Sequence, residues 1–115
     1  MKSLQDTPVI QKVYDFYKEL YLIVEKMPKK DKYALGLKIQ NTTLDLLELL
    51  IEASNLREQE KLIPLRKSIA KVDLLKILIR LSYEIKAIDI KKYLTLEENL
   101  QEIGKMVGGW IRYLK

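Results

Sequence analysis

Apolar residues recur every three or four positions along four long stretches of this chain, and this spacing limits the fold more than any other feature. In the first stretch the apolar side chains of residues 9–27 fall on one side of a helix, and the charged side chains fall on the other. Thr7 is the predicted N-cap, Pro8 is the first helical residue, and Pro28 ends the helix. The sequence therefore predicts an amphipathic first helix with one buried face.

Three further stretches keep the same helical spacing. The second helix is predicted over residues 32–54 after a Lys-Lys-Asp-Lys turn, and its polar stripe is narrow. The third is predicted over residues 62–89. The fourth follows a capping box with Thr95 as N-cap and Glu98 at position N3. Four helices with short connections predict an all-α fold, an antiparallel up-down four-helix bundle.

The third helix carries two separate apolar stripes, although a bundle core needs only one. One stripe can pack in the core, and the other then needs a partner, of which a second subunit is the obvious one. The alternative is a central helix that touches two neighbours through a wide face. The first stripe comprises Ile63, Ala70, Leu74, Ile77, Leu78, Leu81, Ile85 and Ile88. The second, which we assign to an oligomer interface, comprises Leu62, Leu65, Ile69, Val72, Leu75 and Ile79.

The fourth helix contains three glycines in the segment EIGKMVGGWIRYL, residues 102–114. Each glycine costs a helix about 1 kcal/mol relative to alanine. Gly104 and Gly108 are four residues apart and flank the face that presents Trp110, so they favour close packing inside the bundle or across a subunit boundary. We add these three residues to the predicted oligomer interface. The alternative is that Gly108 and Gly109 only kink the last turns.

The composition fits one globular domain spanning residues 1–115 and argues against catalysis. Apolar residues make up 48% and charged residues 32% of the chain. Without cysteine or histidine, the chain lacks thiolate ligands, the commonest metal ligand and the commonest general base at neutral pH. We therefore predict no catalytic residue, no metal and no cofactor. No signal peptide or membrane-spanning run is visible, so a cytoplasmic protein is expected.

The net charge of +5 is a mild bias toward polyanions, although ordinary solubility explains it equally well. Two lysine clusters fall in loops that an up-down bundle places at the same end, where Tyr33 and Tyr93 offer stacking surfaces for bases. The alternative is a solvated loop. The loop candidates for nucleic-acid binding are Lys29, Lys30, Lys32, Lys91 and Lys92.

Further basic candidates lie along the third helix. Lys76 and Arg80 can pair locally with Asp73 and Glu84, which makes Lys67 and Lys71 the stronger candidates. The full set on this helix is Arg66, Lys67, Lys71, Lys76 and Arg80.

Three segments resemble a known family. MPKKDKYALGLKI (27–39) is similar to the helix 1–2 junction of four-helix-bundle proteins related to the 23S rRNA intervening-sequence family. EIGKMVGGWIR (102–112) and LIPLRKSIAKVDLLKILIRLSYEIKAI (62–88) resemble one branch, the accessory variability determinant (Avd) of diversity-generating retroelements. NTTLDLLELLIEAS (41–54) departs from the Asn-Ile-Ala-Glu-Gly-like segment of the ribosomal branch. The chain is therefore identified as a member of the Avd branch.

This resemblance implies a function that the residues alone do not. It implies a ring-like homopentamer of four-helix protomers, without enzymatic activity, that acts with a reverse transcriptase and its template RNA in mutagenic cDNA synthesis. The implied partners are other copies of the chain, the reverse transcriptase and RNA, with DNA or an RNA/DNA hybrid as further ligands and no membrane. Five copies at +5 carry about +25. The alternatives are a protein of the intervening-sequence type and a structural oligomeric interaction module.

Overall fold

Four long helices make up the computed structural model, which describes residues 8–115. Helix α1 spans Pro8–Glu25, α3 spans Leu62–Glu84 and α4 spans Ile90–Leu114. Helix α2 consists of three consecutive segments, an α-helical turn at Lys29–Asp31, a π-helical turn at Lys32–Gly36 and an α-helix at Leu37–Asn55. A short 3-10 turn, Glu58–Glu60, connects α2 to α3. Thr7, the predicted cap of α1, lies outside the described residues.

The helices form a bundle in which each helix packs against two neighbours. Helix α1 lies beside α2 and α4, and α3 completes the square between α2 and α4. Ile23 and Lys26, at the end of α1, line the same cavity as the turn between α3 and α4, so α1 and α4 run in opposite directions. The bundle measures 44 × 23 × 20 Å. The predicted all-α helical bundle is confirmed, since helices account for nearly all of residues 8–115.

The core buries the apolar stripe of α3 that the sequence analysis assigned to an oligomer interface. Leu65, Val72, Leu75 and Ile79 are at most 1% exposed, and they pack against the other helices of the same chain. The interface assignment of these four residues is therefore wrong. Leu62 and Ile69, the remaining two of that stripe, are half-buried.

The exposed stripe of α3 is the other one. Ile63 is 67% exposed, Ile77 is 65% exposed, and Leu81 and Ile85 also lie on the surface. Helical periodicity places residues on faces, but two stripes of similar apolar content do not reveal which face meets the core. Helix α3 therefore does expose an apolar stripe that the core does not cover, but this stripe lies on the face opposite to the predicted interface.

Polar side chains in the core are all satisfied within their own helices. Each of the five buried hydroxyl groups donates to a backbone carbonyl three or four residues earlier in the chain, and no buried side-chain nitrogen or oxygen of residues 8–115 lacks a partner. The bonds run from Thr42 to Lys38 at 2.7 Å, Thr43 to Ile39 at 2.9 Å, Ser54 to Ile51 at 2.8 Å, Ser68 to Pro64 at 2.9 Å and Ser82 to Leu78 at 2.9 Å.

The start of α2 differs from the prediction, because residues 29–31 form a helical turn and are not a loop. The π-helical turn that follows ends at Gly36, which is buried against α1. A Cβ added at Gly36 would lie 2.7 Å from Val24 Cγ1 and 3.2 Å from Met27 Sδ. The closest approach of a glycine to a neighbouring helix therefore occurs here. At Gly104 an added Cβ would meet Val72 Cγ1 at 3.7 Å, an ordinary contact.

The junction between α3 and α4 also differs from the prediction. Helix α3 ends at Glu84, and Lys86 adopts a left-handed backbone conformation with φ 68°, which turns the chain. Helix α4 begins at Ile90, and its N-cap is Asp89, whose carboxylate accepts a hydrogen bond from the Lys92 amide at 2.8 Å. Thr95 is therefore not the cap. Its hydroxyl donates to the Lys91 carbonyl inside the helix.

Candidate nucleic-acid interface

The two predicted lysine clusters lie at the same end of the bundle, which we call the basic end. Lys29 and Lys30 are exposed in the first turn of α2. Lys91 is exposed and Lys92 is half-buried in the first turn of α4. The antiparallel arrangement brings the α1–α2 connection and the α3–α4 turn to this end, so four cations from two separate segments lie at one end of the bundle.

Several of these cations are free to meet an anion. Within residues 8–115, Lys29, Lys30 and Lys91 form no salt bridge, so their charges are not locally compensated. The Lys32 ammonium lies 5.7 Å from the centroid of the exposed Tyr33 ring. The Lys92 ammonium lies 3.8 Å from the Asp89 carboxylate, at the limit of an ion pair.

The basic residues of α3 divide into paired and unpaired side chains. Lys71 pairs with Asp45 of α2 at 3.6 Å, so its selection as one of the two stronger binding candidates is not supported. Arg80 pairs with Glu84 at 3.2 Å, which is the local pairing that the sequence predicts. Lys76 is half-buried and forms no salt bridge among the described residues.

The remaining two candidates, Arg66 and Lys67, are exposed near the start of α3. Since α3 runs toward the basic end, these two side chains lie close to the opposite end of the bundle. The ten predicted residues therefore do not form one patch. They form a cluster at the basic end and a dispersed set along α3.

A groove of about 440 Å³ between α3 and α4 has Gly104 in its lining. Its charged walls consist of Lys76, Lys105 and Arg112, which face a single carboxylate, Asp73. The missing side chain at Gly104 leaves this space open. The groove is therefore basic as well as concave, which suits an anionic or hydrogen-bonding partner.

The other two glycines of α4 lie beneath a guanidinium group. A Cβ added at Gly108 would lie 3.4 Å from Arg112 Nη1, and one added at Gly109 would lie 3.7 Å from Nη2. Trp110 is half-buried, and the Lys61 ammonium lies 5.9 Å from its ring centroid. Gly108 and Gly109 therefore make room for the Arg112 side chain, and among residues 8–115 no atom of a neighbouring helix lies within 4 Å of a Cβ added at either position.

A second cavity of about 440 Å³ lies at the basic end, between the end of α1 and the α3–α4 turn. Its cationic side chains are Lys26, Lys86 and Lys92, and Asp89 is the only acidic side chain among the described residues that line it. Tyr83 forms part of its wall. Ile23, Ala87, Ile88 and Ile90 supply its apolar surface.

The aromatic wall of this cavity is half of a stacked pair. The rings of Tyr83 and Tyr93 lie 4.9 Å apart between centroids, with their planes 19° from parallel. The sequence predicts a base-stacking role for Tyr93, but it does not single out Tyr83, Lys26 or Lys86. These three residues lie in segments that are distant in the sequence, and only the antiparallel topology brings them together.

Two negative findings concern residues 8–115. No helix in this range is both long and apolar enough to span a membrane. No three acidic side chains in the same range come together in a way that would hold a metal ion. What the surface does offer is cationic and aromatic groups, which are the groups that bind phosphates and bases.

The chain was also compared with known proteins. The model of a family described as bAvd-like matches residues 9–114, which is nearly the whole chain. No curated protein matches the chain significantly.

Proposed function

Because the chain belongs to the bAvd-like family, which corresponds to the accessory variability determinants, we propose that it is a non-enzymatic accessory protein of a diversity-generating retroelement. In this role it binds the template RNA or its cDNA together with the reverse transcriptase of the element, and it supports mutagenic cDNA synthesis. The family match over residues 9–114 is the observation that carries the proposal.

The charge distribution supports the nucleic-acid part of this role. Lys29, Lys30 and Lys91 are exposed at one end and are not paired within the described part of the chain. Lysine contacts to phosphate groups carry no direct sequence information, so binding through such contacts is expected to have little sequence preference. Sequence selection then has to come from RNA shape or from the polymerase.

The exposed aliphatic stripe of α3 supports assembly into a homo-oligomer, with the pentamer of the resemblance as the proposed form. Ile63, Ile77, Leu81 and Ile85 leave a long apolar surface in contact with water in the single chain. Surfaces of this kind usually mark an interaction site. A ring also repeats the basic end in every copy, so that weak contacts act together on one long RNA.

A salt titration of RNA binding tests the nucleic-acid role. The variant pair Lys29→Gln and Lys30→Gln removes two unpaired charges. The matched pair Lys18→Gln and Arg57→Gln removes two charges that already pair with Asp15 and Glu60. Binding of the parent should weaken steeply as the salt concentration rises. The plot of log affinity against log salt should become less steep by about 1 to 2 in the first variant pair, and it should not change in the matched pair.

Two outcomes decide between this role and its alternatives. If the parent does not bind structured RNA or duplex DNA at about 50 mM salt, the nucleic-acid role is wrong and an interaction module remains. A cDNA synthesis reaction with the reverse transcriptase and template RNA of the element tests the accessory role directly. We expect full-length product only when the protein is present, and equal product without it contradicts the proposal.

A further inference from the structure

We propose that the cavity at the basic end binds a single unpaired nucleotide of a nucleic-acid strand, with its base against Tyr83 and its phosphate between Lys26 and Lys86. The inference rests on the proposed function, since it assumes that nucleic acid is the ligand of this surface. It specifies where the nucleic acid binds, that the bound nucleotide is unpaired, and which residues hold it. Tyr83, Lys26 and Lys86 lie outside the lysine clusters that the sequence predicts.

The charges in the cavity favour an anion. Asp89 is already engaged, because it caps α4 through the Lys92 amide at 2.8 Å and lies 3.8 Å from the Lys92 ammonium. Lys26 and Lys86 have no carboxylate partner among residues 8–115. Two uncompensated ammonium groups therefore flank the cavity, one from the end of α1 and one from the α3–α4 turn.

The residue that follows the end of α3 in a left-handed conformation is a lysine, although helices usually have glycine there. Lys86 occupies the left-handed position after the end of α3, with φ 68°. Glycine is the usual residue in this position. Because the residue here is lysine, an ammonium group on a flexible stem stands at the rim of the cavity.

The aromatic and apolar walls distinguish a nucleotide from a simple anion. Tyr83 lines the cavity, whereas its stacking partner Tyr93 does not, so a base on Tyr83 would extend an existing stack of two rings. The floor includes Ile23, Ala87 and Ile88, each nearly buried. An inorganic anion gains nothing from these surfaces, but a base has a flat apolar face that fits them.

The form of the ligand follows from the size and shape of the cavity. Its volume of about 440 Å³ falls in the lower part of the range of about 300–1,000 Å³ that is typical of small-molecule sites. In a duplex both faces of each base are already stacked on neighbours, so no face is free for Tyr83. The site should therefore prefer unpaired nucleotides, such as a loop or a strand end of the template RNA.

The experiment uses a short unpaired RNA and the corresponding DNA, each with a 2-aminopurine base whose fluorescence falls on stacking. The Lys26→Gln, Lys86→Gln pair should weaken the affinity about tenfold, the loss expected when two charge contacts are removed. The pair Lys38→Gln, Lys115→Gln removes the same charge from exposed sites outside the cavity and outside the predicted binding residues, and it should have little effect. Tyr83→Phe should keep the quenching of fluorescence, and Tyr83→Leu should abolish it. Circular dichroism confirms that each variant is folded.

Competition identifies the chemistry of the ligand. A nucleoside monophosphate should displace the oligonucleotide at concentrations at which inorganic phosphate does not. Equal displacement by both overturns the nucleotide site and leaves a simple anion site. If the parent binds long RNA but the cavity variants behave like the Lys38→Gln, Lys115→Gln pair, the cavity proposal is wrong and the proposed function stands. If the parent binds no nucleic acid, both fail.

Discussion

The ammonium group of Lys12 on α1 bridges to α4, where it contacts the Glu102 carboxylate and donates a hydrogen bond to Asn99 Oδ1 at 3.2 Å. Asn99 in turn donates to Glu19 of α1 at 3.1 Å. The hydrogen bond from Lys12 is the main cause that lowers the pKa of Glu102 below its ordinary value of 4.5, and the positive charge of Lys12 adds to it. A polar seam therefore joins α1 and α4 along the surface of the bundle.

The contact between Lys12 and Glu102 should make a small part of the free energy of unfolding depend on pH. A lowered carboxyl pKa contributes stability above the unfolded value, 4.5 for Glu102, and this stability is lost as the pH falls through the folded value. We expect Glu102→Gln to lower the free energy of unfolding slightly at about pH 7 and by less at about pH 3. Urea denaturation of parent and variant at both pH values measures this. An equal difference at both values would contradict the role of the ion pair.

Among the described glycines, Gly36 should be the one whose substitution destabilises the fold most. A Cβ there meets Val24 Cγ1 at 2.7 Å, so Gly36→Ala should lower the free energy of unfolding by about 1–3 kcal/mol through overpacking. The matched change Gly104→Ala meets only an ordinary contact at 3.7 Å and should raise stability by up to about 1 kcal/mol through helix propensity. Thermal or urea unfolding of both variants checks the opposite signs, and destabilisation by Gly104→Ala would show that its space is needed.

Asp89 should contribute to stability as the cap of α4. Because its carboxylate accepts the Lys92 amide, Asp89→Ala should cost about 0.5–2 kcal/mol. Thr95→Ala changes a helix-interior residue whose hydroxyl only bonds back to the Lys91 carbonyl, so it should cost less or be neutral. Urea denaturation of the two variants compares them. A larger loss from Thr95→Ala would indicate that α4 begins at the later capping box in solution.

The exposed stripe of α3 should hold the proposed oligomer together. Ile77→Lys places a charge in the middle of this stripe, where the native side chain is 65% exposed, so it should disrupt assembly without unfolding the chain. Leu22→Lys is the control, since Leu22 is 60% exposed on α1. Light scattering coupled to size exclusion should give about five times 13.6 kDa for the parent and the control. A monomeric parent at micromolar concentration would refute the oligomer.

The sequence predicts where the helices lie better than it predicts which face of each helix is buried or which residue caps it. Periodic apolar residues specify α1 and most of α2, because one face of each is clearly apolar. In α3 the two stripes are equally apolar, and only packing shows that Val72 meets the core while Ile77 meets water. At α4 both Asp89 and Thr95 are good caps, and the helix uses the earlier one because residues 90–94 also accept helical geometry.

The candidate site was only partly predictable for a related reason. Lysine clusters at two connections are visible in the sequence, and the up-down topology puts them at one end. The cavity between them is not visible in the sequence, because Lys26 follows the end of α1, whereas Tyr83 lies in the last turn of α3 and Lys86 in the turn after it. Local pairing was predictable for Arg80. The pairing of Lys71 with Asp45 joins two helices and required the packed bundle.

The buried hydroxyl groups have a mechanical consequence. Each of them, including Thr43 on α2 and Ser68 on α3, bonds to a carbonyl of its own helix, so none of them ties two helices together. A small shift of one helix against another would therefore leave each of these hydroxyl groups with its hydrogen bond. What holds the helices in register inside the bundle is therefore the close packing of apolar side chains, and this packing is what a bound neighbour would have to rearrange.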